Sequence, residues 1–235
     1  MCEVEGNPKL CKACATEIAP GMVIRTNTER VIESRKTNLE LLLSNHVGDC
    51  RPPCVLACPA QTDCQGYVEF IANVEYEAAL ELVKDKIPLP ASLGRVCPHP
   101  CEDECRRGLI DEPISIQWLK RFAADQDLMS EDAFIPGCDP DTGKSVAIIG
   151  GGPLGLSAAY FLRQKGHAVT IFEAMPKAGG MLRYGIPEYR LPKEVLDDEI
   201  LTIQKMGAEI ITDTKIGKDI PFETIREDFD AVLIG

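Results

Sequence analysis

Two cysteine runs constrain this chain more than any other stretch. DCRPPCVLACP carries Cys50, Cys54 and Cys58, and about forty residues on RVCPHPCEDEC carries Cys97, Cys101 and Cys105, with every gap inside a run three residues long. Each run includes a Cys-Pro. Thiolates hold iron, and proline commonly follows a ligating cysteine, so six thiols in two compact sets read as a housing for two [4Fe-4S] clusters. Three other readings compete. A disulfide framework needs an oxidising compartment, and the chain opens without a charged n-region and apolar h-region. Zinc is the nearer rival, but structural zinc favours CxxC pairs and complete tetrads, whereas these runs are two sets of three. A zinc-bound scaffold or interaction protein is therefore the competing class, and unliganded thiols the plainest alternative.

At 235 residues, with 45% hydrophobic and 26% charged residues, the chain has room for one or two domains with a buried core. Nothing approaches about eighteen consecutive apolar residues, so no membrane span is expected. The formal charge of −12 argues against a nucleic-acid surface. Eleven cysteines without an export signal predict a reducing, cytoplasmic setting in which thiols serve metals or chemistry.

Residues 1–27 read as short β segments broken by Gly6-Asn7-Pro8 and Pro20-Gly21. From Thr28 to Asn45 the periodicity is helical, with Val31, Ile32, Leu39, Leu42 and Leu43 able to share a face and Gly48 as a stop. That helix delivers His46 four residues before Cys50. After Cys58, residues 64–86 predict two helices with Tyr67, Val68, Ile71, Ala79, Leu80 and Val83 facing a core. IPLPASLGR reads as a Pro/Gly-punctuated link. A last helix from Pro113 is expected to pack Ile114, Trp118, Leu119 and Phe122. Residues 126–144, acidic and rich in Gly and Pro, read as a linker, with Cys138 an unliganded thiol.

The stretch SVAIIGGGPLGLSAAYFLRQKGHAVTIFEA then gives a strand, a glycine turn, a helix and a second strand. Gly150, Gly152 and Gly155 form GxGxxG directly after the strand, with Gly151 and Pro153 inside it, which is the context a dinucleotide fingerprint requires. The first glycine makes the turn, the second admits the pyrophosphate, and the third lets helix and strand close up. The free N–H groups of the helix start face the phosphates. Glu173, about twenty residues on, is placed to accept the ribose hydroxyls.

Four resemblances extend this reading. The start, with Cys2 and ACAT at Cys14, resembles the end of the [2Fe-2S] ferredoxin domain of the complex I large iron-sulfur subunit and of related hydrogenases and formate dehydrogenases. Cys2 and Cys14 match its last two ligands, the first two have no counterpart, and Cys11 is extra, so no [2Fe-2S] cluster is expected on this chain. His46-x3-Cys50 is similar to the start of the His/Cys-ligated cluster in that same subunit, which implies His46 as an iron ligand.

Residues 50–125, from CxxxCP through LGRVCPxPCExxC to the last helix, resemble the N-terminal iron-sulfur domain of the glutamate synthase small subunit and of dihydropyrimidine dehydrogenase. That likeness implies interleaved ligation: Cys50, Cys54 and Cys105 on one cluster, and Cys58, Cys97 and Cys101 on the other. The first run has one cysteine fewer than the family's set, a vacancy His46 is placed to fill. Where relatives hold a Gln or Glu ligand this chain has Lys120, and an ammonium cannot bind iron. Gln117 and Cys64 are the candidates for that fourth position. Finally, KAGGMLRYGIP resembles the GGLLRYGIP segment that approaches FAD in the same family, which implies Gly179, Gly180, Met181, Leu182 and Arg183 as FAD-site residues.

The expected fold is α+β overall: a small helical double [4Fe-4S] domain at 28–125, then an incomplete α/β Rossmann-type FAD-binding domain at 145–235. The likeness implies an iron-sulfur flavoprotein oxidoreductase subunit moving electrons between NAD(P)H, FAD and two [4Fe-4S] clusters. The alternative within that fold is the electron-input subunit of a hydrogenase or formate dehydrogenase. The implied partner is a redox subunit of glutamate synthase large-subunit, hydrogenase or formate dehydrogenase type, or a ferredoxin. No side chain is expected to act as nucleophile or general base. Both ends fall inside motifs, which predicts a fragment of a longer polypeptide.

Overall fold

A computed structural model describes residues 1–46, 48, 50–130 and 133–235. It divides into two compact units, Met1–Cys50 and Arg51–Gly235. In the first, β1 (Glu3–Val4) pairs antiparallel with β2 (Ile24–Arg25). Cys2 and Cys11 exchange backbone hydrogen bonds of 2.9 and 2.8 Å beside it. Helix α1 (Glu29–Ser44) opens on Thr28, whose side chain accepts from the Val31 N–H. Arg30 donates to the Pro8 carbonyl and Arg35 to that of Met1. Of the apolar face expected on α1, Val31 alone is buried; Ile32, Leu39, Leu42 and Leu43 are exposed. The cause is length, because two-residue strands cover only the first turns of a sixteen-residue helix.

The second unit begins with six helices: α2 (Pro53–Ala57), α3 (Cys64–Ala72), α4 (Tyr76–Lys84), α5 (Pro90–Val96), α6 (Pro100–Asp103) and α7 (Ile116–Leu128). Cys64, Tyr67, Ala79, Val83, Ile87, Cys101, Ile116 and Ala123 form their core. Two sequence expectations fail here. IPLPASLGR is mostly the helix α5: Pro90 takes a first-turn position, where proline loses no hydrogen bond, and Gly94 is a contact point. A Cβ on Gly94 would lie 2.7 Å from the Arg121 Cβ and 2.8 Å from its Cα, so the glycine lets α5 and α7 approach. The second failure concerns α7, which starts at Ile116 and not Pro113. Its buried row is Ile116, Lys120, Ala123 and Ala124, while Ile114, Trp118 and Phe122 are exposed and Leu119 half-buried. Trp118 instead stacks against Arg121, and Phe122 meets Tyr76 edge-on.

The expected linker is tied down at both ends. Its first residues belong to α7, and Asp127 accepts from the Phe134 N–H at 2.7 Å while Phe134 packs against Leu80, Ala91 and Ala124. Glu131 and Asp132 lie outside the described residues. Beyond it come β3 (Ser145–Ile149), α8 (Pro153–Gln164), β4 (Ala168–Phe172), α9 (Gly180–Tyr184), α10 (Lys193–Lys205), β5 (Ala208–Ile211), α11 (Phe222–Asp228) and β6 (Ala231–Ile234). The strands make a parallel sheet in the order β5-β4-β3-β6, with Ile148 between Ile171 and Leu233. Its strands are mostly apolar, with both faces of the central pair covered. Ile148, Ile171, Leu156, Tyr160, Leu196 and Ile203 fill one side, and Ala147, Phe172 and Ile225 the other.

A buried polar seam joins the helices to this sheet layer. Glu199 of α10 is 5% exposed and accepts the Ala91 and Ser92 N–H groups, at 2.6 and 3.0 Å, in the first turn of α5. The Tyr160 hydroxyl donates to the Lys84 carbonyl at 3.0 Å, and the Lys84 ammonium meets Asp127 and the Phe134 carbonyl. Burial lowers the Lys84 pKa, with Asp127 opposing.

Burial raises the Glu199 pKa from 4.5 to about 7, against the hydrogen bonds from Ser92 and Ala91. An acid whose pKa rises on folding holds more protons folded than unfolded, so its contribution to stability is full below pH 4.5 and is lost as pH climbs towards about 7. Thermal unfolding followed across that window should show a falling melting temperature for the parent and a flatter profile for Glu199→Gln. Equal slopes would show that Glu199 does not titrate there.

Candidate functional site

The cysteines reach their places through the ends of short helices. Cys54 lies within α2 and Cys58 is its C-cap; Cys97 caps α5, Cys101 lies in α6, and Cys105 follows that helix. Two pockets result, and each draws on both runs. One is lined by Cys54, Cys64 and Cys105, with Pro53, Glu104 and Ile116. The other is lined by Cys58, Cys97 and Cys101, again with Cys64, together with Gln117 and Lys120. In the first unit, His46 Nδ1 stands 3.7 Å from the Cys50 Sγ.

Cys64 lies on the wall common to both pockets and is 3% exposed. Its thiol shares a hydrogen bond with Cys101, which holds the Cys64 proton firmly on and, as the largest cause, lowers the Cys101 pKa. The Tyr67 hydroxyl joins the same chain at Cys64, and burial pushes its pKa up. Burial likewise raises the Cys54 thiol. Among the described residues no three His, Cys, Asp or Glu groups converge tightly enough for a single metal ion. A cubane cluster asks for something different: thiolates set apart around a cage, each on its own iron. Two interleaved sets of thiols, with no carboxylate lining the pocket of Cys58, Cys97 and Cys101, fit that donor chemistry.

The dinucleotide turn sits at the carboxyl ends of β3 and β4, where open parallel sheets bind ligands. Gly150 has φ +109°, and a Cβ there would lie 2.8 Å from the Gly235 carbonyl oxygen. A Cβ on Gly155 would fall 2.0 Å from the Gly150 oxygen and 3.1 Å from the Ile148 side chain, so the third glycine is what seats α8 on β3. Gly152 has only Gly180 nearby, at 3.9 Å, and leaves its outer side open. Pro153 is the first residue of α8, whose first-turn N–H groups have no carbonyl within the helix.

Glu173 directly follows β4 and is 7% exposed, with Oε2 accepting the Gly151 N–H and Oε1 the Met175 N–H, both at 2.8 Å. The carboxylate thus braces the turn from below, a role its spacing did not reveal. Gly179 and Gly180 are also committed to that turn. The Gly179 N–H donates to the Gly151 carbonyl at 2.7 Å, and a Cβ on Gly180 would meet the Gly152 Cα at 2.7 Å. Leu182 is buried and Met181 is 70% exposed. Arg183, an FAD-site residue by the resemblance, points inward: it pairs with Asp197 and donates to the Ala178 carbonyl at 2.5 Å.

Residues 25–132 match the domain family described as dihydropyrimidine dehydrogenase domain II, 4Fe-4S cluster, and residues 148–208 match the NAD(P)-binding Rossmann-like domain. The chain is 45% identical over 184 residues to the NADPH-Fe(3+) oxidoreductase subunit beta of Geobacter sulfurreducens, covering 77% of this chain and 27% of the relative. It is 42% identical over 203 residues to the NADP(+)-dependent formate dehydrogenase subunit beta of Moorella thermoacetica, covering 77% and 29%. The NADPH glutamate synthase small chain of Bacillus subtilis is 37% identical over 179 residues, covering 75% and 36%. The chain therefore spans about a third, or less, of the length of these relatives. No described helix is long and apolar enough to cross a membrane. A match to a 4Fe-4S cluster domain is thus followed by a match to a Rossmann-like dinucleotide-binding domain, and over about three quarters of its length the chain is similar to subunits of this kind, the glutamate synthase small chain among them.

Proposed function

We propose that this chain is the cluster-bearing and flavin-binding part of an NAD(P)H-linked electron-transfer subunit. The observation that carries the reading is the interleaving of the two runs, Cys54 with Cys105 and Cys58 with Cys97 and Cys101, in one unit with the glycine turn. Cys54 and Cys105 are ligands of one [4Fe-4S] cluster, and Cys58, Cys97 and Cys101 of the other. His46 and Cys50 form a further imidazole–thiol pair of iron-binding type. The N–H groups opening α8 and the open side of Gly152 receive the pyrophosphate of FAD, and the Glu173 carboxylate keeps lone pairs for ribose hydroxyls. When bound, the flavin converts a two-electron hydride exchange into single electrons that the clusters carry. The protein's own contribution is to hold these groups in place and keep bulk water from the Cys64 wall between the pockets.

A partner redox subunit completes the reading, since the relatives are themselves named as subunits. Electron input to a formate-oxidising assembly is favoured by the likeness to the Moorella subunit. The free thiols suit a reducing, cytoplasmic setting.

Anaerobically purified protein should carry about eight irons with matching sulfide. Cys54→Ala and Cys58→Ala should each remove about four irons, from different clusters, with distinct spectra. Zinc without sulfide in the parent would replace this reading with the scaffold one.

For the nucleotide, Gly155→Ala should abolish flavin retention and destabilise the second unit by on the order of 1–3 kcal/mol, the usual cost of overpacking. Retained flavin absorbance at the parental ratio to protein would contradict the proposed site.

A further inference from the structure

The pocket of Cys58, Cys97 and Cys101 contains a cation that the ligand map leaves unused. Lys120 occupies the buried row of α7, is 6% exposed, and lines the pocket. Other buried cations of this unit have carboxylates: Lys84 has Asp127 at 3.3 Å, Arg95 has Asp125 at 2.7 Å, and Arg183 has Asp197. Among the described residues the Lys120 side chain makes no ion pair and no hydrogen bond. Glu102, at the end of the neighbouring α6, is already engaged. Its Oε1 accepts the Gln117 N–H at 2.7 Å and its Oε2 lies 3.4 Å from His99 Nδ1.

An ammonium on a largely buried side chain is stabilised by negative charge close by. The pocket that Lys120 lines holds the thiols of Cys58, Cys97 and Cys101 and no carboxylate. After the Cys64 hydrogen bond, the Lys120 charge is a further influence holding the Cys101 thiol down, which places the two within electrostatic reach. A thiolate-ligated iron-sulfur cage carries net negative charge and gains one more unit on reduction, and net charge is among the factors that set its potential.

We propose that Lys120 is the internal counter-charge of the cluster held by Cys58, Cys97 and Cys101, and that it favours that cluster's reduced state. The inference rests on the iron-sulfur reading above. In the step concerned, one electron enters the cluster, supplied in the assay by dithionite. No bond is made or broken, and Lys120 keeps its proton.

The test is a reductive titration of the anaerobically reconstituted full chain, followed by electron paramagnetic resonance, for the parent, Lys120→Met and Lys120→Arg. Lys120→Met keeps the length and apolar body of the side chain and removes the charge; Lys120→Arg keeps the charge. The expected result is unchanged iron and sulfide, with one of the two midpoint potentials in Lys120→Met lowered by at least a tenfold change in the reduction equilibrium, about 59 mV for one electron. Lys120→Arg should stay with the parent. Loss of that cluster in Lys120→Met alone, with Lys120→Arg intact, also supports the assignment, because only the charge distinguishes the two. Parental potentials in Lys120→Met overturn it, as does an equal change in both variants, which would mark a packing role. A parent without sulfide overturns the iron-sulfur reading itself and is seen before any variant is titrated.

Discussion

The structure depends on one buried carboxylate meeting two buried backbone donors. Helix α5 starts with Pro90, so the first N–H groups needing acceptors belong to Ala91 and Ser92, deep between the helical layer and α10. Left unsatisfied, each would cost on the order of 1–3 kcal/mol. Glu199 takes both, one with each oxygen. The far end of the same seven-residue helix is Cys97, whose N–H is held by the Leu93 carbonyl at 3.0 Å. The acceptor on the dinucleotide-binding side therefore fixes the helix that places a proposed cluster ligand. Arg95 reinforces the link by a two-pronged contact with Asp125 on α7, at 2.7 and 3.0 Å.

The nucleotide turn is built on the same principle of backbone groups satisfied from a distant stretch. Three segments meet there: the glycine turn, Glu173 after β4, and Gly179–Gly180. Gly151 gives its N–H to Glu173 and its carbonyl to the Gly179 N–H. The backbone of Gly180 lies against that of Gly152, so that a Cβ on Gly180 would fall 2.7 Å from the Gly152 Cα. Arg183 locks the second glycine segment to α10 through Asp197, the helix that also carries Glu199. One helix thus steadies both the dinucleotide turn and α5.

The periodic parts of this architecture were legible in the sequence. Strands β3 and β4, the glycine turn and helices α1, α3, α4 and α8 follow from apolar spacing and turn chemistry, and the domain families confirm the order. What stayed hidden were residues whose type argues against their place. Pro90 and Gly94 look like a link, yet proline costs nothing at a first turn and the glycine is demanded by Arg121 behind it. Lys120 sits in a buried row, so counting apolar positions turned α7 the wrong way, towards Trp118 and Phe122. Glu199 reads as one more surface acid on an amphipathic helix, and its partners lie 107 and 108 residues earlier. Arg183 sat in a recognisable segment, but its direction is set by Asp197, which no local pattern announces.

Lys120 also bears on how folding and cofactor loading are coupled. Without a cluster the pocket brings together a lone ammonium, the Cys101 thiol with its lowered pKa and a Cys64 thiol that keeps its proton. On the proposed ligand map, a cage bound through Cys58, Cys97 and Cys101 would bring negative charge beside Lys120, and its binding free energy would become folding free energy for the helices that meet there. Those helices are α5, α6 and α7; Glu199 holds α5 to α10 and Arg95 holds it to α7. On that proposal cluster occupancy and helix packing would be linked through Lys120, while Glu199 ties α5 to the dinucleotide-binding side.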